Sequence, residues 1–190
     1  MSMMLLLLVT LSCLAAIKAE PEPCCITNKW SATMFDVNQP SQGNSITADF
    51  FYDFDSLATA TQYYKYGSSQ RVKSNRVVMS FSKRERFMID ADGTCTKVAD
   101  PNTFLPICIP TVRTYLGSSY VGTEASGLAT DTWFFSINTH NYTMSYTNPG
   151  CVLTFQGVVY TQSLDIVVYF NGYKAGITDP AAFDIPASCL

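Results

Sequence analysis

The chain has 190 residues, with 12 Lys and Arg against 15 Asp and Glu and a net charge of −3 at pH 7. This mildly acidic balance gives no reason to expect a nucleic acid partner. Charged residues make up 14% of the chain and aromatic residues 13%, and one histidine leaves little scope for a zinc site or for histidine-based catalysis. The length is that of one domain with a substantial hydrophobic core.

The first 19 residues have the pattern of a secretory signal peptide. Apolar side chains fill most of the stretch from Met3 to Ile17, and Ala19 is a small residue at a plausible cleavage point. The run is shorter than the roughly 20 apolar residues of a transmembrane helix. A bacterial lipoprotein signal ending at Cys13 is an alternative that the sequence around Thr10 fits poorly. We therefore predict a signal peptide at 1–19 and a single exported domain at 20–190.

Removal of the signal peptide takes away Cys13 and leaves six cysteines. An even number of cysteines in an exported chain predicts a disulfide framework, but spacing alone does not choose the pairing. The sequon Asn141-Tyr142-Thr143 predicts an N-linked glycan on a surface loop. The remaining cysteines are Cys24, Cys25, Cys95, Cys108, Cys151 and Cys189.

Runs rich in Thr, Val, Tyr and Phe alternate with turn residues along the chain, which indicates an all-β sandwich or barrel. The turn 90–93 predicts a hairpin, with Gly93 at the position that needs a positive φ. The proline-rich stretch from Pro101 to Gly117 predicts a long irregular segment. The predicted strands are Trp30–Val37, Ser45–Asp53, Thr59–Tyr66, Arg76–Ser82, Arg86–Asp90, Thr94–Val98, Thr132–Ile137, Tyr142–Thr147, Val152–Tyr160 and Leu164–Asn171.

The closing segment, 176–189, is the most distinctive part of the chain. Pro180 and Pro186 exclude a regular helix or a central strand, and Phe183 stands between them without apolar neighbours that would form its own core. Chain ends fray unless they are tied down, and Cys189 is well placed to provide the tie. We predict that this tail folds back on the domain, buries Phe183 and is locked by a disulfide.

Patterns that would support catalysis are weak. The sequence has no G-x-S-x-G motif, and His140 lies in a polar stretch beside the sequon, which favours a solvated loop histidine over a general base. Asp53 and Asp55 share one face of a strand and are interpreted as surface or turn acids. The cluster 83–86 favours a solvated turn over a contact with acidic glycans or lipid head groups. We therefore predict that the protein is not an enzyme.

Two aromatic runs, Phe50-Phe51-Tyr52 and Trp133-Phe134-Phe135, place bulky rings on both faces of a strand. One face fills the core, and the other is exposed unless something covers it. Core or dimer packing and a ligand cavity explain this pattern equally well from the residues alone.

The mature chain resembles the ependymin-related family from Cys24 to Cys189. The most specific part is the tail pattern Gly176-Ile177-x-Asp179-Pro180-x-x-Phe183-x-x-Pro186-x-x-Cys189. The upstream matches are Cys24 with Trp30, Ala48 with Tyr52-Asp53, Met88-Ile89-Asp90 leading to Cys95-Thr96-Lys97, and the mid-chain Cys151.

The resemblance implies a secreted or lysosomal glycoprotein that forms homodimers, with calcium binding and cell–matrix adhesion attributed to such proteins. It also implies a fold similar to bacterial Lol-type lipoprotein carriers, with two antiparallel sheets as a sandwich or half-open barrel around a hydrophobic pocket. The implied disulfides join Cys24 to Cys151 and Cys95 to Cys189. This chain departs from the family in the third pair, to which we assign Cys25 and Cys108, and the adjacent Cys24 and Cys25 leave open which of them meets Cys151.

The resemblance tips the balance towards a binder of a hydrophobic ligand, expected to be a lipid. The alternative is an extracellular matrix or adhesion protein without a small-molecule ligand. A calcium site is kept as a hypothesis because the Cys95–Cys189 link would bring the acidic tail near the turn at 90–93. The expected ligand-contacting residues are Trp30, Phe50, Tyr52, Phe81, Phe87, Trp133, Phe135 and Phe155, and the expected calcium ligands are Asp90, Asp92, Asp179 and Asp184.

Overall fold

The computed structural model describes residues 20–36, 44–67, 70–160 and 163–189, so the predicted signal peptide lies outside the described residues. The strands are β1 Lys29–Asp36, β2 Asn44–Asp53, β3 Ala58–Lys65, β4 Lys73–Ser80, β5 Glu85–Ile89, β6 Cys95–Ala99, β7 Thr114–Val121, β8 Leu128–Ile137, β9 His140–Thr147, β10 Leu153–Tyr160 and β11 Ser163–Ala175. Two short 3-10 helices, Pro180–Phe183 and Ala187–Cys189, follow in the tail.

The strands form one antiparallel sheet in the order β6-β5-β4-β3-β2-β1-β11-β10-β9-β8-β7. It consists of two meanders, β1 to β6 and β7 to β11, which are joined where β1 pairs with β11. The sheet is not closed, and β6 and β7 are its edges. The predicted all-β, half-open architecture is confirmed. The resemblance implied two antiparallel sheets, whereas the structure has one continuous sheet whose two halves take their place.

The sheet curves strongly over itself. Strands β4 and β9 are six strands apart in the sheet order, which would separate them by about 29 Å in a flat sheet. Nevertheless, Met79 of β4 and Tyr142 of β9 line the same cavity. We call the face that carries Trp30 and Met34 of β1 the inner face, and the opposite face, which carries Ser31, the outer face.

The main hydrophobic core lies on the inner face, between the two meanders. Its largest side chains are almost fully buried, since Trp30 and Trp133 are each 1% exposed and Met144 is 0% exposed. Alternation along each strand produces this face, because residues two apart point the same way. Its other buried members are Ile26, Ala32, Met34, Ala48, Tyr52, Ile109, Phe135, Tyr142, Tyr146, Cys151, Leu153, Val158, Val168 and Phe170.

A second, smaller core lies on the outer face of the first meander, under the C-terminal tail. Phe51, Val78 and Phe87 form its floor. The tail contributes Ala182, which is 3% exposed, whereas Phe183 is only partly buried and lies 6.4 Å from the Phe51 ring. The predicted return of the tail is therefore correct, but full burial of Phe183 is not. The short helix at 180–183 turns the small Ala182 inward and leaves the larger ring at the margin.

The tail is held at three points. Ser31 Oγ donates to Gly176 O at 2.9 Å near its start. In the middle, the Arg76 guanidinium donates to Ala181 O at 2.8 Å and to Asp184 O at 2.7 Å. At the end, Cys189 is joined to Cys95.

Three disulfides join Cys24 to Cys151, Cys25 to Cys108, and Cys95 to Cys189. This arrangement settles which of the two adjacent cysteines meets Cys151. The first disulfide spans 127 residues and ties the N-terminal segment to the second meander. In the chain-entropy view, a loop of that size stabilises the folded state by about 4 to 5 kcal/mol.

Strand β7 was not predicted from the sequence pattern, since its first half fell within the expected irregular segment. Its residues include Gly117, at φ +127°, and two serines, which are weak strand formers. It pairs with β8 from Thr114 opposite Phe134 to Val121 opposite Leu128. Pairing with a neighbouring strand therefore makes this segment a strand despite its weak strand-forming composition. The predicted hairpin at 90–93 is confirmed, with Asp90 N donating to Thr94 O at 2.8 Å.

We predict that Arg76→Met loosens the tail without releasing it, because the disulfide remains. Loss of two charge-assisted hydrogen bonds should lower the free energy of unfolding by about 1 to 3 kcal/mol. Amide hydrogen exchange at 181–185 should become faster. Lys73→Met removes a cation from the same strand and serves as the control. Equal exchange in the two variants would show that Arg76 does not hold the tail.

Candidate functional site

A cavity of about 180 Å³ opens on the inner face between the two meanders. It is predominantly apolar, and its polar wall is made mainly of threonine, asparagine and glutamine side chains. The lining residues are Trp30, Met34, Asp36, Phe50, Tyr52, Thr59, Thr61, Tyr63, Met79, Phe81, Asn102, Thr103, Phe104, Leu105, Tyr142, Leu153, Gln156, Ile166, Val168 and Phe170.

Trp30 is the centre of the aromatic wall. Its ring centroid lies 5.2 Å from Phe50 and 5.4 Å from Phe170. Tyr52 and Tyr173 stack on it at 5.7 and 5.8 Å. These separations are those of favourable aromatic pairs, so the rings support one another and hold the cavity wall in place.

The segment that follows β6 covers the cavity, and Phe104 is its central residue. The Phe104 ring stacks on Tyr52 at 4.9 Å and contacts Phe81 at 4.8 Å. The Tyr52 hydroxyl donates to Leu105 O at 2.7 Å. Burial raises the pKa of Tyr52, so its phenol remains a neutral donor at physiological pH. We call residues 102–105 the cover segment.

The cover segment is tethered at several points. Ile26 N donates to Ile107 O at 2.7 Å, and Cys108 is joined to Cys25. The Asn138 side chain hydrogen-bonds Thr103 Oγ1. An irregular, proline-rich stretch therefore becomes a defined wall of the cavity.

The electrostatic environment of the cavity is neutral to negative. Asp36 lies in the wall, and burial together with this carboxylate raises the pKa of Tyr63. The positive charge of Arg86 opposes this rise in the pKa of Tyr63, but Arg86 is itself paired with Asp100 at 2.8 Å. The Asp100 side chain is 3% exposed, so this cation is committed to a buried carboxylate.

The eight predicted ligand residues divide into three groups. Trp30, Phe50, Tyr52 and Phe81 line the cavity. Trp133 and Phe135 belong to the inner core but do not reach the cavity wall. Phe87 and Phe155 lie on the outer face, beside other pockets.

The two outer-face residues have different explanations. In β10, Leu153 pairs with Tyr146 and Phe155 with Ser145, so a bulge reverses the alternation between them. Phe87 pairs with Val78 of the outer-face core. Its neighbours Arg86 and Met88 gave no apolar alternation from which its face could be read.

Other wall residues were not predicted from the sequence. Thr59, Thr61 and Tyr63 alternate along β3, so period-two spacing carried a signal for them. No periodic pattern marks the cover segment, because Phe104 and Leu105 are placed by tertiary contacts.

The predicted calcium ligands do not form one cluster. Among the residues that the structure describes, no three acidic, histidine or cysteine side chains are grouped so as to hold a metal ion. Asp92 accepts a hydrogen bond from Thr94 N at 2.8 Å, which lowers its pKa and is the geometry of a turn. The tail does approach this turn, since Ser188 Oγ is 3.5 Å from Gly93 O. Calcium binding stays a prediction.

The remaining sequence candidates lie outside the cavity wall. His140 begins β9 and is half-buried, so it is not in a loop as predicted. Asn141 is an exposed strand residue rather than a loop residue, and its Oδ1 accepts from Ser136 Oγ at 2.7 Å. Asp53 and Asp55 both pair with Lys29, at 3.2 and 3.3 Å.

Fold and site together define a disulfide-linked, half-open β protein with an internal apolar cavity. The chain belongs to the Ependymin family, whose model matches residues 69–189, more than half of the sequence. Family membership and three disulfides fit an extracellular protein of an adhesion or ligand-binding kind. This is not a known enzyme family.

Among solved structures, an uncharacterized conserved protein from Thermus thermophilus shares the fold. Its TM-score is 0.52 at 10% identity, over 85% of this chain and 88% of that chain. No curated protein matches the chain significantly. Within the described ranges, no helix has the length and apolarity needed to cross a bilayer.

The turn at 90–93 gives the calcium prediction a direct test. Calcium bound only to the folded state should raise the melting temperature, and EDTA should lower it, by mass action. Asp92→Asn should abolish the response, while Asp55→Asn, which changes a carboxylate elsewhere, should retain it. If the melting temperature of the wild type does not change with calcium, the prediction is wrong and these carboxylates are ordinary turn and surface groups.

Proposed function

We propose that this protein is an extracellular, N-glycosylated binder of a hydrophobic molecule, a lipid, which occupies the inner-face cavity. The observation that carries the proposal is an aromatic-lined cavity closed by Phe104 rather than by a regular element. Ligand sites in proteins are typically concave and apolar with a few polar groups, which is the composition of this wall.

The size of the cavity indicates how a ligand would enter. Apolar cavities of about 150 Å³ admit a ring the size of benzene, whereas sites for larger ligands span roughly 300 to 1,000 Å³. A cavity of about 180 Å³ takes one ring or a short stretch of acyl chain. A longer chain would displace Phe104, whose ring fills the space above Tyr52. Binding would then gain about 25 cal/mol per Å² of buried apolar area, less the cost of moving the cover segment.

A second candidate function is adhesion or self-association without a small-molecule ligand. An open groove of about 830 Å³ runs across the outer face of the second meander and reaches Phe35 of β1 and Ile46 of β2. Ile46, Val121 and Leu128 line it and are 42%, 60% and 49% exposed. Such a surface suits protein contacts, including the homodimer that the sequence resemblance implies.

The sequon is compatible with this second use of the outer face. Asn141 and Ser145 lie on the same face of β9, and Ser145 borders the groove. Four residues along a strand correspond to about 13 Å, so a glycan on Asn141 would be attached beyond the edge of the groove rather than within it. A lysosomal destination and cell–matrix adhesion remain part of the proposal on the resemblance alone.

Two variants separate the candidate functions. Thr61→Phe puts a ring into the cavity and should weaken lipid binding at least about tenfold, because it removes the ligand's space. Leu128→Asp puts a charge into the outer groove and should shift a dimer to monomer while leaving lipid binding unchanged. Thermal melts confirm that both variants fold.

The measurements are native mass spectrometry of the protein secreted from its own source and sedimentation velocity. A co-purifying lipid that is lost in Thr61→Phe supports the binder. Absence of any lipid, together with adhesion that is sensitive only to Leu128→Asp, would refute it in favour of the second candidate.

A further inference from the structure

The charges around the cavity restrict the lipids that it can take. Asp36 is the only Lys, Arg, Asp or Glu among the described residues of the wall. The stretches 37–43, 68–69 and 161–162, which lie outside the described residues, contain no Lys or Arg in the sequence. A carboxylate head group drawn into this cavity would therefore find no countercharge in the wall.

The nearest cation does not change this conclusion. Arg86 lies close enough to Tyr63 to influence it electrostatically, but both its Nε and Nη2 bind Asp100 Oδ2, at 2.9 and 2.8 Å. Recruiting Arg86 to a ligand would leave the buried Asp100 carboxylate without its ion pair, which is costly in a site of low polarity.

A residue of the cavity wall also carries a hydrogen-bond donor that is not used within the described protein. The Nε1–H of Trp30 is buried and has no hydrogen-bond partner among the described residues, although Trp30 lies in the cavity wall. A buried donor without a partner is uncommon and destabilising, and an acceptor on a ligand would satisfy it. An indole N–H has no capacity to accept, so it selects for a ligand oxygen with lone pairs.

We propose that the cavity selects an uncharged lipid with an ester carbonyl, accepting a hydrogen bond from Trp30, and discriminates against fatty-acid anions. This inference rests on the proposed lipid-binding function and specifies its ligand. An ester presents the same alkyl chain as the acid without the charge. Burying an unpaired carboxylate next to Asp36 opposes binding. Burying an ester carbonyl instead provides an acceptor for the Nε1–H of Trp30.

The experiment compares three ligands of matched chain length, methyl laurate, laurate and dodecane. Each displaces a neutral solvatochromic naphthalene dye from the delipidated protein. At about pH 8, where a carboxylic acid is ionised, methyl laurate should bind at least about tenfold more tightly than laurate. Lowering the pH to about 5 should strengthen laurate binding several-fold as the acid gains a proton, while methyl laurate should not change.

Two variants test the charge argument. Met79→Lys places a cation in the cavity wall and should raise laurate affinity relative to methyl laurate. Met88→Lys places the same charge on the adjacent strand, where it does not line the cavity, and should leave the ratio unchanged. Both residues lie on solvent-accessible parts of their strands, so both lysines are tolerable.

A third variant tests the donor. Trp30→Phe keeps an aromatic ring but removes the N–H, so methyl laurate should lose its advantage over dodecane even if both bind more weakly. Laurate binding as tightly as methyl laurate at pH 8, or equal ratios in Met79→Lys and Met88→Lys, would overturn the inference and leave lipid binding intact. Failure of all three ligands to displace the dye would refute the proposed function itself.

Discussion

The pairing of β1 with β11 is the interaction on which the rest of the molecule depends. Each meander is built from neighbours in sequence, but these two strands come from opposite ends of the described chain, and they make one sheet from the two meanders. Ser31 reinforces the junction, because its hydroxyl donates to Gly176 O and accepts from Thr178 N. The cavity exists only once this junction has formed, since its wall draws on both meanders. It is the one pairing of this sheet that joins strands far apart in sequence, so it carries the largest loop-closure cost among the strand pairs described.

The disulfides follow the same logic. Cys24 and Cys25 are adjacent, yet Cys24 is joined to Cys151 in the second meander and Cys25 is joined to Cys108, which follows the cover segment. The N-terminal segment thus ties three parts of the chain together at one place. The C-terminal tail covers the outer face of the first meander, and the cover segment covers its inner face. Both faces are therefore covered by irregular chain rather than by a second sheet.

Local pattern predicted the strands and the hairpin well, because both depend on residues close in sequence. Period-two alternation put Phe50 and Tyr52 on one face of a strand, and both line the cavity. It failed at Phe155, because a bulge in β10 is a property of the pairing with β9 and leaves no mark in composition. It failed for Phe104 as well, since that ring is positioned by Tyr52 and Phe81 rather than by a strand. The composition of β7 did not favour a strand, and this segment is a strand because it pairs with β8.

An open sheet has two free edges, and both are blunted here. Strand β6 is only five residues long, carries Lys97 near its centre, and has the end of the tail bonded to Cys95. Strand β7 is interrupted by a bulge between Tyr115 and Gly117. Short, charged or bulged edges resist strand-to-strand addition between molecules. A protein built this way can keep an incomplete barrel without polymerising through its edges, and any ordered assembly it forms must use the faces of the sheet instead of its edges.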